Sequence, residues 1–390
     1  MPKQWVGPEQ PRILIFAPSF APAVRAGGPA RTLTNLAREL EGKAALDIVT
    51  RDRDLGDATP FEGLSGRRIT RGTTVVYFLD VSSARHWSTL LIRLHQTRYD
   101  LVMVNSIWDY QMSVLPSLLS AVGVLGGPTL LLPHGELEPG ALALKARKKK
   151  VAGPAFRAVY RRTISIMGAT SADEASNIRA WIPGIPVLTT TNNCPTRLSF
   201  GSPRGSDTRL RMVFLSRIHP KKGLIELLEG LCLSTRSMHL SIVGPVEDKD
   251  YWDKCRTVIT RMPSSVEVKY DGIAERSSIE SHFWNADCMV LLTAGENYGH
   301  VLAESLQAGC PVITTPTTPW TNVIQGGGGE IVSDSRDPVE VAAVLDRWAR
   351  LGPEQLAATR RSAVKAFAEF ESKADPNVIE LALDYLAQGV

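Results

Sequence analysis

TAGENYGHVLAESLQAGCPVITTP, residues 293–316, decides how the rest of the chain is read. It follows the apolar run Cys288–Ala294, crosses a polar turn, enters an amphipathic helix and ends in a second apolar run, Pro311–Pro316. Two carboxylates, Glu296 and Glu304, lie eight residues apart. The first belongs to the turn. The second is expected near the first turn of the helix that Gly299 and His300 introduce. A helix start offers unpaired N–H groups and the positive end of a dipole, which suits a phosphate. A carboxylate beside such a site repels the phosphate, so its natural partners are hydroxyls. Acids near a helix start are also what dipole complementarity alone selects. The spacing by itself leaves both readings open.

Outward from this segment the chain alternates short apolar runs with helical periodicity, in two blocks. In the first, Arg12–Phe20, Ala45–Thr50, Thr73–Asp80, Asp100–Ser106, Pro128–Gly135, Ile164–Thr170 and Pro186–Asn192 read as strands. Pro29 suits a first helical position, with Leu33, Leu36, Ala37 and Leu40 on one face behind it. Ser171 and Glu174 have the spacing of a capping box. SFGSPRGSD, residues 199–207, has the composition of a linker. The second block takes up strands at Arg211–Arg217, His239–Pro245, Val266–Gly272, Cys288–Ala294, Pro311–Pro316 and Gly329–Ser333. After Asp337 only helices are expected, the last over about Pro376–Gln388. Two such blocks predict two Rossmann-like, doubly wound α/β parallel-sheet domains, residues 1–198 and 199–374. Ligands are expected at the carboxyl ends of the strands, in the crevice.

The bulk properties fit that class. The 390 residues are 44% hydrophobic and 22% charged, with a net charge of +4, values of an ordinary globular chain with mild affinity for anions. Five cysteines, Cys194, Cys232, Cys255, Cys288 and Cys310, are odd in number and form no C-x-x-C, which predicts core thiols in a reducing compartment. MPKQWVGPEQ has no apolar signal region, and no run of 18 apolar residues occurs. The expectation is a soluble cytoplasmic protein.

Further groups converge on the predicted ligand face. Gly27-Gly28 lies between the first strand and its helix, where the absence of Cβ lets a ligand approach the backbone. It is not G-x-G-x-x-G, so a dinucleotide reading is weak, and a loop closing on a helix start is the plainer one. His134, in PHGE, ends a strand, where its imidazole reaches a sugar hydroxyl or serves as a structural hydrogen-bonder. Arg217 and Lys222 leave a strand–helix connection and supply the two cations a departing diphosphate needs, or else a solvated basic turn. Asp52-Arg53-Asp54 has a D-x-D pattern, but it follows a second strand, where loop charge is the better account. No cluster has metal-ligand spacing, so no metal is expected. Lys145, Arg147, Lys148, Lys149, Lys150, Arg157, Arg161 and Arg162 form the most basic stretch. A solvated helix face explains it. The functional alternative is peripheral attraction to an anionic membrane or a lipid-diphosphate acceptor.

PHGELEPGALALKARKKK (residues 133–150), LSRIHPKKG (215–223) and ENYGHVLAESLQAGCPVITTPTTPW (296–320) resemble the corresponding segments of retaining family 4 glycosyltransferases of the GT-B fold. The likeness is greatest to those that build bacterial exopolysaccharide, capsule or lipopolysaccharide. The resemblance implies transfer of a hexose-type sugar from a nucleotide-sugar, UDP before GDP, to a glycan, lipid-linked or small-molecule hydroxyl. It makes Glu296 the contact of the transferred sugar, Glu304 that of the ribose, and Arg217 and Lys222 the cations of the pyrophosphate. Asn297, Tyr298, Gly299, His300 and Val301 line the phosphate site, Gly27 and Gly28 lie near the donor phosphates, and Ile273 meets the base through its backbone. The last helix, 375–390, is implied to return to the first domain. Many relatives have Arg at His134, which leaves its task open between the ring and the adjacent carbonyl. Two rival readings are a nucleotide-sugar 2-epimerase of the same fold and a non-catalytic nucleotide-sugar-binding protein.

Overall fold

The computed structural model describes residues 10–23, 25, 27–138, 141–142, 146–190, 209–275, 278–373 and 376–388. Lys145, Cys194 and the expected linker at 199–207 lie outside the described residues. The chain divides into two compact units, Met1–Pro195 with Asp375–Val390, and Thr196–Ala374.

The first unit is built on strands β1 (Arg12–Ala17), β2 (Ala45–Arg51), β3 (Arg68–Arg71), β4 (Thr74–Leu79), β5 (Leu101–Asn105), β6 (Thr129–Leu132), β7 (Ile166–Ala169) and β8 (Val187–Thr189). They form one sheet in the order β3-β4-β2-β1-β5-β6-β7-β8. Central β1 is apolar from Ile13 to Ala17 because both of its faces are covered. Ile13 and Ile15 pack on one side with Leu33 and Leu36 of the helix Gly28–Glu39 and with Leu40 at its C-cap. Leu14 and Phe16 pack on the other with Leu90, Leu94, Tyr160 and Ile178. Register is set on both flanks, with Phe16 opposite Val49 and Val104.

The departure from an all-parallel sheet is β3, which pairs antiparallel with β4. RITR, on a sheet edge, exposes every side chain but half-buried Ile69. It therefore carries no apolar run by which the sequence could announce it. The Ser171–Glu174 capping box is also only half formed. Ser171 Oγ accepts from Glu174 N, but the Glu174 carboxylate turns to other N–H groups, described below.

The helix Val378–Ala387 belongs to this unit. Val378, Ile379, Ala382 and Leu383 are buried in the same cluster as Ile13 and Ile15. Burying the three larger side chains favours folding by roughly 1.5–3 kcal/mol each. Asn377 caps the helix toward Ile379 N and Glu380 N, while its amide donates to Glu39 Oε1 at 2.9 Å. Thr190 Oγ1 donates to Pro376 O at 2.8 Å.

The second unit has β9 (Leu210–Leu215), β10 (Met238–Val243), β11 (Val266–Gly272), β12 (Cys288–Leu291), β13 (Val312–Thr314) and β14 (Gly329–Ile331). The order is β11-β10-β9-β12-β13-β14 and every pairing is parallel. The helix Leu224–Leu233 buries Leu224, Leu227, Leu228 and Leu231, one face at helical spacing. Gly230 lets it approach the helix Pro338–Trp348, since a Cβ there would lie 2.3 Å from Val341 Cγ1. Cys255, Cys288 and Cys310 are buried and Cys232 half-buried, all as free thiols.

Candidate functional site

In the second unit the site starts where β9 and β12 end. After β9 the chain runs through Arg217 into a short 3-10 turn, Pro220–Lys222, and then Gly223, which caps the next helix in the left-handed conformation (φ 71°). A Cβ on Gly223 would sit 2.0 Å from Leu292 O, so the turn is pressed against the end of β12. Ala294 N and Thr293 Oγ1 both donate to Lys221 O, at 2.8 and 3.1 Å, tying the two strand ends together. That closeness brings Lys222 to Glu296. Nζ stands 2.6 Å from Oε1, and each side chain is only 11% exposed. Two residues 74 apart in sequence thus form a nearly buried ion pair.

Gly299 caps the helix His300–Gln307 in the left-handed region (φ 79°), with the space of its missing Cβ bounded by Leu302 and Glu296. Tyr298 and His300 meet edge to face at 4.7 Å, and Tyr298 packs on buried Trp320 at 5.3 Å. Trp320 Nε1 donates to Tyr298 O, which fixes the turn ahead of the helix. Thr315 and Thr317 donate through Oγ1 to Thr293 O on its other flank. The 297–301 N–H groups are therefore carried on a braced turn, with Val301 half-buried in the first helical turn.

Glu304 lies just past the first turn of that helix. The first helical turn holds no acid, and Glu304 is the fifth helical residue, only 4% exposed. Dipole complementarity, which acts within the first turn, does not account for a buried carboxylate there.

Arg217 stands apart from Lys222's partner. Its guanidinium meets Glu247 at 2.6 Å, and both side chains are about half exposed. Glu247, Asp248 and Asp250 line a depression of about 350 Å³ with His219 and Lys249, a wall too acidic to attract an anion. Ile273 follows β11 and is 70% exposed. Nothing in the sequence singled out Glu247.

In the first unit, Gly27 (φ 65°) and Gly28 stand at the start of the helix that follows β1, and a Cβ on Gly27 would meet nothing within 4 Å. The ends of β5, β6 and β7 carry a denser polar cluster. His134 adopts φ 53° and Ser106 φ 86°, both in the region that side chains avoid. Two carboxylates lace these turns. Glu136 accepts from Ser106 Oγ at 2.8 Å and Ile107 N at 2.6 Å, joining the β6 end to the β5 end. Glu174 accepts from Gly135 N at 2.6 Å and from Thr170 N and Oγ1 at 2.8 and 2.6 Å, joining the β6 end to the β7 end. His134 Nε2 is 2.8 Å from Asn105 Oδ1. Burial lowers the His134 pKa below its ordinary range, only partly opposed by the Glu174 charge. Burial likewise raises that of Glu136 against the pull of its Ile107 and Ser106 hydrogen bonds. Sequence reading caught His134 but not Asn105 or the lacing roles of Glu136 and Glu174. The partners that join one strand end to another lie 29 to 39 residues away, beyond any local pattern.

The D-x-D pattern is loop structure here. Asp52 is buried against Arg53 at 2.8 Å and accepts from Ser65, and Asp54 accepts from Arg25 N. Among the described residues no group of three or more His, Cys, Asp or Glu is placed to hold a metal. In the basic stretch, Arg147, Lys148 and Lys150 are exposed, while Lys149 donates to Ala141 O and lies over the Trp108 ring at 5.4 Å. Arg157 similarly covers Trp181 at 5.5 Å. No helix among the described residues is long and apolar enough to cross a membrane.

Residues 199–365 match the family model for glycosyl transferases group 1. No curated protein sequence matches the chain. Among solved structures, sucrose-phosphate synthase from Thermosynechococcus elongatus is similar at a TM-score of 0.69 with 17% identity, over 98% of this chain and 99% of that one. Anabaena HepE, solved in complex with UDP, gives a TM-score of 0.69 and 17% identity over 98% of this chain and 100% of the other. WaaG, a glycosyltransferase involved in lipopolysaccharide biosynthesis, gives 0.62 and 13% over 96% and 99%. Residues 199–365 thus match a group 1 glycosyltransferase domain, in a chain whose two doubly wound sheets and structural likenesses give it the GT-B fold.

Proposed function

We propose that this protein is a retaining glycosyltransferase of family 4 that moves a hexose-type sugar from a nucleotide-sugar to a hydroxyl acceptor, without a metal. The observation that carries the reading is the nearly buried Lys222–Glu296 pair beside the Gly299 helix start, with Glu304 buried one turn on. A cation for the diphosphate, a carboxylate for sugar hydroxyls and a second for the ribose stand within one strand–turn–helix segment and the turn packed on it. Lys222 and Arg217 neutralise the departing diphosphate together with the N–H groups of Asn297 to Val301. Arg217 does so by exchanging Glu247 for a phosphate. Glu296 and Glu304 orient the donor through its hydroxyls. The acceptor attacks on the face the leaving group vacates, with a β-phosphate oxygen taking its proton.

UDP is favoured over GDP, in keeping with HepE, which was solved with UDP and with UDP-glucose. WaaG's role supports a setting in bacterial surface-polysaccharide or glycoconjugate assembly. The exposed Arg147, Lys148, Lys150, Arg161 and Arg162 support a peripheral position at the inner face of an anionic membrane.

Thermal unfolding of the wild type and Glu304→Ala with UDP, GDP and their sugar conjugates, with and without EDTA, tests the reading. A ligand at about a hundred times its Kd adds about 2.7 kcal/mol. Stabilisation by one nucleotide, unchanged by EDTA and largely lost in the variant, supports it. A transition that no nucleotide moves overturns it.

A further inference from the structure

We infer that Asn105 is a positioning residue that locks His134 as the neutral imidazole protonated on Nε2, leaving the Nδ1 lone pair as the acceptor that meets a sugar hydroxyl. The chain of donors fixes this assignment. Asn105 Nδ2 donates to Phe16 O at 3.0 Å, and a carbonyl oxygen only accepts. The amide is thereby oriented, and the atom it turns toward His134 is its oxygen, Oδ1. An oxygen without hydrogen requires a donor opposite, so Nε2 carries the proton at their 2.8 Å contact.

Asn105 is rigidly held. It ends β5, is 3% exposed, and its own carbonyl accepts from buried Ser113 Oγ at 2.9 Å. His134 is held in turn at φ 53°, between Glu136 and Glu174 lacing its turn to the neighbouring strand ends. A strained, over-determined backbone is worth maintaining only for a side chain whose aim matters. Nδ1 has no partner among the described residues. Desolvation of the half-buried ring disfavours its charged form, which leaves Nδ1 to accept rather than donate. An accepting nitrogen at this position therefore selects for a hydroxyl rather than a carboxylate or phosphate oxygen. This deepens the proposed glycosyl transfer and rests on it for the identity of the hydroxyl. The tautomer assignment is independent of activity.

The test is long-range ¹H–¹⁵N correlation of the imidazoles near pH 7.5, with the His134 signals identified by their loss in His134→Gln. The wild type is expected to show the neutral Nε2–H pattern. Asn105→Leu, which removes the acceptor, is expected to give a mixture of tautomers, and Asn105→Asp, which keeps an acceptor, to retain protonated Nε2. In the transfer assay Asn105→Leu should lose about tenfold in kcat, the size of one neutral hydrogen bond, with donor KM little changed. An Nδ1–H or imidazolium pattern in the wild type overturns the inference, even if Asn105→Leu fails to fold. An unchanged tautomer in a folded Asn105→Leu overturns it too. A correct tautomer pattern with no transfer to any hydroxyl acceptor refutes the proposed function and leaves the positioning role standing.

Discussion

Removing one member of the Lys222–Glu296 pair should cost more than a surface ion pair and less than a wholly buried one. Exposed pairs contribute about 0–1 kcal/mol, whereas breaking a buried pair costs about 3–5 kcal/mol. At 2.6 Å, with each side chain 11% exposed, this pair sits near the buried end but keeps an edge in water. A net hydrogen bond to a charged group is worth about 1.5–3 kcal/mol, so Lys222→Met and Glu296→Gln should each lose about 2 kcal/mol. The pair is one interaction counted twice, so the double variant should also lose about 2, a coupling of about 2 kcal/mol. Urea unfolding of the four proteins, compared by linear extrapolation, measures it. In a unit of this size the single losses should appear as transitions lower by about 4–8 °C. A coupling below about 0.5 kcal/mol would refute the argument that the two strand ends are joined through this contact. Saturating UDP adds a second arm. If the lysine meets the diphosphate, it has another anion to face, and the measured coupling should shrink.

Gly223→Ala should destabilise by at least about 2 kcal/mol, because φ is 71° and the new Cβ would meet the backbone oxygen of Leu292. An unchanged urea midpoint would count against the tight β9–β12 connection. His134 contributes a pH dependence whose sign follows from its lowered folded pKa. Below the ordinary value of about 6.5 the unfolded chain binds a proton that the folded chain does not, so stability falls as pH drops from there toward the folded value. Above that window the contribution is flat. His134→Gln should remove this slope, and equal slopes in wild type and variant would exclude it. Glu247→Gln should strengthen UDP binding a few-fold by releasing Arg217, read by calorimetry at low salt, and weaker binding would contradict the exchange. Vesicles of anionic lipid should retain the protein at low salt and lose it at high salt. Arg147→Gln with Lys148→Gln should weaken retention, and no retention at low salt would end the membrane reading.

The elements that the sequence announced are those governed by local periodicity. β1 and β5 carry apolar runs, Ile13–Ala17 and Leu101–Val104, because both sheet faces are covered, and the helix Leu224–Leu233 repeats leucine at its own pitch. The edge strand β3 escaped because it lies at a wet edge with only Ile69 half-buried and no apolar run. The site divides in the same way. Gly299, His300 and the basic residues after β9 were legible as a helix cap and a strand-end turn. What remained hidden is contact across the sheet: Glu296 on Lys222, Glu174 on Gly135, Asn105 on His134. Such pairs follow from strand order, which only the assembled sheet supplies. Glu304 follows the first turn of a helix that starts at His300, where the Gly299–His300 pattern puts it.

The helix Val378–Ala387 has a consequence for biosynthesis. The first unit takes four buried side chains from the far end of the chain, so its hydrophobic core is open while the ribosome works through the whole second unit. The second unit, continuous in sequence, has every residue it needs earlier and can complete its sheet first. The order of maturation is thus inverted relative to the order of synthesis. The half made first closes last, when residues 378 to 387 emerge and cover Ile13 and Ile15. A nascent chain stalled before residue 378 should carry a protease-resistant second unit and a protease-sensitive first one.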